Sequence, residues 1–99
     1  MYYAILCEDA ANSLPKRQEL RPRHLARLTE LHEAGRLLLA GPFPAVDAED
    51  PGPAGFTGSL IVAAFDSLAE AEAWAGADPF LEGGVYARVT VRPFRRTLP

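Results

Sequence analysis

The sequence predicts an α+β domain of the ferredoxin-like type: a βαββαβ chain with one antiparallel sheet and both helices on one face. Three observations predict it. Short apolar runs recur at residues 2–7, 37–41, 59–65 and 85–94, each of strand length. Two stretches with helical spacing of apolar residues lie between the first and second runs and between the third and fourth. The 99 residues suffice for one hydrophobic core and not for two, so residues 1–99 form a single domain.

The first run, "YYAILC", is apolar, aromatic and branched, and reads as a buried strand. Ser13 is a candidate N-cap, with Pro15 in the turn that follows. Pro22 disfavours helical geometry at Arg21, so the expectation is a short first turn and then a main helix from Pro22 to Ala34. Leu25, Leu28 and Leu31 mark its apolar stripe, and Gly35 its stop. "RLLLAGPFPAV" is a second strand that ends, or becomes an edge, near Gly41-Pro42. The long loop "DAEDPGPAGFTGS" follows; loops of this length in small domains are often functional. "SLIVAAF" is the third strand. The second helix is capped by Asp66 or Ser67 and buries Leu68, Ala71 and Trp74 or Ala75. "VYARVTVRPF" alternates as a half-buried last strand, with Val85, Ala87, Val89 and Val91 on one face and Tyr86, Arg88, Thr90 and Arg92 on the other.

Such a sheet has one face without helices. Its apolar strands predict that a second copy covers that face, giving a homodimer built as an α/β barrel, or a higher assembly. The net charge is -3 with mixed signs, so neither nucleic acid nor an anionic surface is expected as partner. The single cysteine, Cys7, excludes an intrachain disulfide and a cysteine-based zinc site, and its apolar neighbours read it as a buried thiol. No apolar run reaches membrane-spanning length, and the chain begins without a leader pattern; a cytoplasmic location and no membrane partner are expected.

Two histidines are candidates for chemistry. His24 falls on the same helix side as Leu28 and Leu31, in the first turn of the expected helix, where the helix dipole favours neutral imidazole. A neutral imidazole can take a proton at neutral pH, and it can equally be a packed structural residue. His32 reads as a structural or solvated residue, and the two make a poor metal pair, so no metal site is expected. Asp78, in "ADPF", either caps a turn over residues 79–82 or orients His24 by accepting from one ring nitrogen. "AGFTGS" lacks the lysine of a phosphate loop and precedes a strand. Ser59 presents a hydroxyl at a strand start without a nucleophile-elbow pattern. Phe43, Phe56 and Phe80 lie near the loops and could wall a pocket for a small ring compound.

The stretch "RPRHLARLTELHEAGRLLLAGPFPAVDAEDPGPAGFTGS", followed by "ADPFLEGGVYARVTVRPF", resembles the YciI-like family, also called the YCII-related domain. The resemblance covers essentially the whole chain. It implies a ferredoxin-like fold forming a dimeric α/β barrel, with an active site centred on a histidine and an aspartate. The histidine corresponds to His24; the aspartate to Asp78, with Asp47 as rival. Ser59, Gly41 and Pro42 fall on motif positions and are expected, with Phe43, Asp47 and Phe80, to contact substrate. The expected function is cofactor-independent acid–base chemistry, lyase- or isomerase-like, on a small cyclic oxygenated compound. The alternative is a non-catalytic small-ligand-binding module on the same scaffold.

Overall fold

The computed structural model describes residues 1–99. Strand β1 (Tyr2–Asp9), helix α1 (Leu14–Glu33), strand β2 (Leu37–Pro44), strand β3 (Phe56–Ala64), helix α2 (Leu68–Gly76), the short helix α3 (Pro79–Glu82) and strand β4 (Tyr86–Phe94) follow in order. The strands form one antiparallel sheet in the order β2-β3-β1-β4. This is the predicted α+β arrangement. No helix is long and apolar enough to cross a membrane.

Strand alternation sorts the side chains. Tyr3, Ile5 and Cys7 of β1 and Ile61 and Ala63 of β3 face inward. They meet Leu28 and Leu31 of α1, Ala71 and Ala75 of α2, and Phe80 of α3 in one core. Each large side chain buried this way contributes about 1.5–3 kcal/mol. The opposite face carries Leu6, Leu39, Phe43 and Phe94, each more than a third exposed. No helix covers it.

Local chemistry explains the boundaries. Helix α1 ends at Gly35, whose φ of +71° suits glycine, and the Arg36 N–H donates back to the Leu31 carbonyl. Ser67 caps α2 by accepting from the Glu70 N–H. Asp78 caps α3 by accepting from the Phe80 N–H. At Gly58 a Cβ would run into the Cys7 carbonyl oxygen, so glycine lets β3 and β1 approach there.

Leu25 and Leu68, expected on buried helix stripes, are each more than a third exposed, and three further expectations need correction. Helix α1 does not start at Pro22; it runs through it. Proline removes one helical hydrogen bond and costs about 3 kcal/mol in a helix interior. Both halves of α1 are nevertheless tied to the rest of the molecule, by Arg17 before the proline and by His24, Leu28 and Leu31 after it. Those anchors hold the helix continuous. Second, Ser13 stands at the cap position but makes no cap bond, because its hydroxyl donates to Asp9 Oδ2 at 2.7 Å instead. Third, Tyr86 is inward-facing and buried. The β1–β4 register shifts between Glu8 and Asp9, inserting Ala87 as an extra residue. The bulge reverses the alternation, so Tyr86 shares the inner face with Val89 and Val91.

Candidate active site

A cleft of about 620 Å³ opens between α1, the inner side of β2, and the loop before β3. Arg17 and His24 line it from α1, Pro42 from β2, Pro51 from the loop, Ser59 from β3, and Phe80 from α3. Two buried polar groupings reach it from the core side.

The first is His24 with Asp78. Nδ1 of His24 lies 2.9 Å from Asp78 Oδ1, and both residues are nearly sealed, at 7% and 2% exposure. The same oxygen accepts from the Phe80 N–H at 2.9 Å. It is therefore an acceptor, which places the Nδ1 proton on the imidazole and the lone pair on Nε2. Nε2 has no protein partner and is not a sealed-off atom. The imidazole stacks on the Phe80 ring, with centroids 4.0 Å apart and planes 8° apart. Tyr86 meets both rings edge-on. Packing on two sides and the bond to Asp78 thus fix the ring's orientation, and the remaining nitrogen belongs to the cleft.

The second is Arg17 with Asp9. Arg17 Nε donates to Asp9 Oδ2 at 2.6 Å and Nη2 to Asp9 Oδ1 at 2.9 Å, a two-pronged contact. The Gly58 carbonyl and Ser59 Oγ also lie within hydrogen-bond distance of Nη2, whose two hydrogens are shared among these three acceptors. The guanidinium lies within 6 Å of the Phe56, Phe80 and Tyr86 rings. Arg17 stands seven residues before His24, two helical turns, so the two residues share the inner side of α1.

Behind these groups sit Cys7 and Tyr86. Burial pushes the Cys7 thiol up from 9.0 to about 12. Burial first, and the neighbouring Cys7 second, also raise the Tyr86 phenol above its ordinary value. Both stay protonated at neutral pH, so Cys7 has no nucleophilic character. Tyr86 Oη is sealed from solvent without a well-formed hydrogen bond.

The expected site residues divide. His24, Ser59, Gly41, Pro42 and Phe80 line the one cleft, and Asp78 stands behind His24. Phe43 does not line it. Phe43 pairs with Gly58, one position beyond the Pro42–Ser59 pair, and alternation sends its side chain to the outer face of the sheet. Asp47 does not meet His24 either; it lies in the exposed loop beside Val46 and Glu49. His32 is exposed and apart from His24. Asp9 and Arg17 were not expected. Two signals carried them: the period-two pattern of β1 continues from Cys7 to Asp9, and Arg17 lies on the His24–Leu28–Leu31 side of α1 once Pro22 is allowed inside the helix.

Comparison with known proteins identifies the family. The family model of the YCII-related domain matches residues 1–95. The chain is 58% identical over 96 residues to Protein YciI of Escherichia coli O6:H1, covering 97% of this chain and 98% of that one. It is 52% identical, over the same shares, to an uncharacterized protein of Haemophilus influenzae. Among solved structures it is similar to 5-chloro-2-hydroxyhydroquinone dehydrochlorinase (TftG) from Burkholderia phenoliruptrix, in complex with 2,5-dihydroxybenzoquinone. That match has a TM-score of 0.83 and 25% identity, and covers 96% of this chain and 94% of that one.

Proposed function

The chain belongs to the YCII-related family, and from that premise we propose that the cleft is the active site of a small acid–base enzyme, lyase- or isomerase-like, acting on a cyclic oxygenated compound. His24 Nε2 is the base: it takes a proton from carbon next to a carbonyl and returns it in a later step or to solvent. Asp78 orients the ring and stabilises the imidazolium that forms. The observation that carries this reading is the buried 2.9 Å contact from His24 Nδ1 to Asp78, with Nε2 left over at the cleft. The structural neighbour supports the substrate class, since it is a dehydrochlorinase bound to an oxygenated ring. Gly41, Pro42, Ser59 and Phe80 would contact the substrate.

The test is a screen of small hydroxyquinones, cyclic ketones and lactones by NMR, following turnover and exchange of carbon-bound hydrogen for solvent deuterium. His24→Gln should lower the rate about 10²–10⁴-fold, the usual contribution of a positioned base. Asp78→Asn should lower it with the fold intact by circular dichroism. A His24→Gln protein with the wild-type rate refutes the reading.

One observation favours the non-catalytic alternative: Asp78 Oδ1 is already the cap of α3, which by itself accounts for an aspartate there. If wild type binds ring compounds without turnover or exchange, the cleft is a binding module.

A second copy of the chain is the proposed cover for the outer sheet face, closing a dimeric barrel. Leu6, Leu39, Phe43 and Phe94 supply its apolar surface. Analytical ultracentrifugation should show a dimer, and Leu39→Glu with Phe43→Glu a monomer; a monomeric wild type at micromolar concentration removes this part of the reading.

A further inference from the structure

Arg17 is the one buried cation of the cleft, and the His24–Asp78 pair gives it no task. Its Nε and Nη2 are committed to Asp9, to the Gly58 carbonyl and to Ser59 Oγ. Nη1 is different. It bonds nothing in the protein, and it is not among the buried polar atoms cut off from solvent. Arg17 is only 7% exposed and lines the cleft. The guanidinium is therefore clamped on one edge and offers N–H donors on the other. A donor fixed before the reaction, in a partly dry site, is the arrangement that stabilises developing negative charge most effectively.

The surroundings define what fits. The Arg17 Cζ lies 5.3 Å from the Phe56 ring and 5.1 Å from the Phe80 ring, and His24 stacks on that same Phe80. Donor and base are thus fixed about one aromatic side chain, which is itself fully buried. The other charged side chains lining the cleft are Arg21, one turn after Arg17, and Asp50 in the loop. Asp50 is partly occupied, since its Oδ1 accepts from the Gly52 N–H. Asp9 offsets the net charge of Arg17 but leaves the Nη1 hydrogens free.

We propose that Arg17 Nη1 is the oxyanion donor of this site, and that the cleft takes flat ring compounds with an enolisable carbonyl or an ionised ring hydroxyl. This rests on the reading of His24 as base. When Nε2 takes the proton, the C–H bond breaks and its electron pair forms the carbon–carbon double bond. The carbonyl pair moves onto oxygen, and Nη1–H holds that oxygen. No co-reactant is needed for this step.

The probe is 2,5-dihydroxybenzoquinone, whose ionised form presents ring oxyanions, titrated calorimetrically into the full chain. Wild type should bind it, and Arg17→Lys, which keeps the charge but not the fork, should bind about 10- to 100-fold more weakly, as for a lost hydrogen bond to a charged group. His24→Gln should keep most of the affinity. Unchanged affinity in Arg17→Lys overturns the proposal, and so does a wild type that does not bind. If Arg17→Lys does not fold, a crystal structure of wild type with the probe decides. An oxygen within about 3.2 Å of Nη1 supports the donor role. A ring bound with no oxygen there overturns it. Failure of the base is separately visible: full turnover in His24→Gln with the expected Arg17 result removes the base and leaves the oxyanion site.

Discussion

The two ends of the helix layer rest on the same sheet and are built by opposite means. At the α2 end the contact is apolar. Tyr3, Phe65, Ala71 and Ala75 pack together, Tyr3 and Phe65 meet edge-on, and Phe65 leans on Trp74. Two cations border it: Arg27 spreads over Trp74 and donates to its carbonyl, and Arg36 lies over the Phe65 ring and donates to the Ala64 carbonyl. At the α3 end the core gives way to Arg17, Asp9, His24, Asp78 and Ser59, and their side chains are buried. Alanines at the α2 end let the helix lie close on the sheet. The α3 end holds charge instead, which costs desolvation unless every group finds a partner. Stability alone does not ask for this. The contrast is a second reason to place the proposed chemistry at the α3 end.

The largest effect separating the two ends should come from breaking a buried pair. Asp9→Ala leaves the Arg17 charge without its carboxylate and should cost about 3–5 kcal/mol in urea denaturation. Replacing both partners, Arg17→Met with Asp9→Leu, should restore most of that stability and remove binding of the benzoquinone probe. If Asp9→Ala is as stable as wild type, the polar end is no more demanding than the surface.

At the apolar end, Ala71→Leu should cost about 1–3 kcal/mol through overpacking, with ligand binding at the α3 end unaffected. Loss of binding there would mean the two ends are mechanically coupled.

A smaller and pH-dependent effect comes from the groups behind the cleft. The Cys7 thiol is pushed up from 9.0 to about 12 in the fold. The unfolded chain therefore releases this proton first as pH rises. The thiol's contribution to stability is complete below 9.0 and is lost progressively toward about 12. Tyr86 acts in the same direction, from 10.0 upward. Urea midpoints should fall above those values, and less steeply in Cys7→Ala. A flat alkaline profile in wild type refutes it.

The smallest effect belongs to Glu8 and Arg88, an ion pair at 2.8 Å on the outer face, with both side chains well exposed in the single chain. Either residue to alanine should change stability by less than about 1 kcal/mol. The same carboxylate–cation chemistry would then be shown to matter at Asp9 and Arg17 because of burial, and not because of the bond itself.

Much of this was legible along the chain. Period-two and helical patterns located the strands and helices, Gly35 ended α1, and "ADPF" announced both a cap and an aspartate. His24 and Asp78 could be named, and the family resemblance paired them, with Asp47 as rival. What failed was long-range. Pro22 reads locally as a helix start, and only the anchors on both sides of it keep α1 continuous. "VYARVTV" reads as simple alternation, and only the bulge opposite Asp9 turns Tyr86 inward. Phe43 looks like a neighbour of Pro42, and strand geometry puts it on the other face.

The α+β class, the element order and the residues able to move a proton follow from local pattern, because they depend on spacing over a few turns or strand positions. Which of them meet is settled by the folding of distant segments onto one another. His24 and Asp78 are 54 residues apart, and Arg17 and Ser59 are 42 apart. Nothing in local spacing fixes such a pairing. It follows from strand register, from the packing of α1 and α3 on the sheet, and from the requirement that each buried charge find a partner.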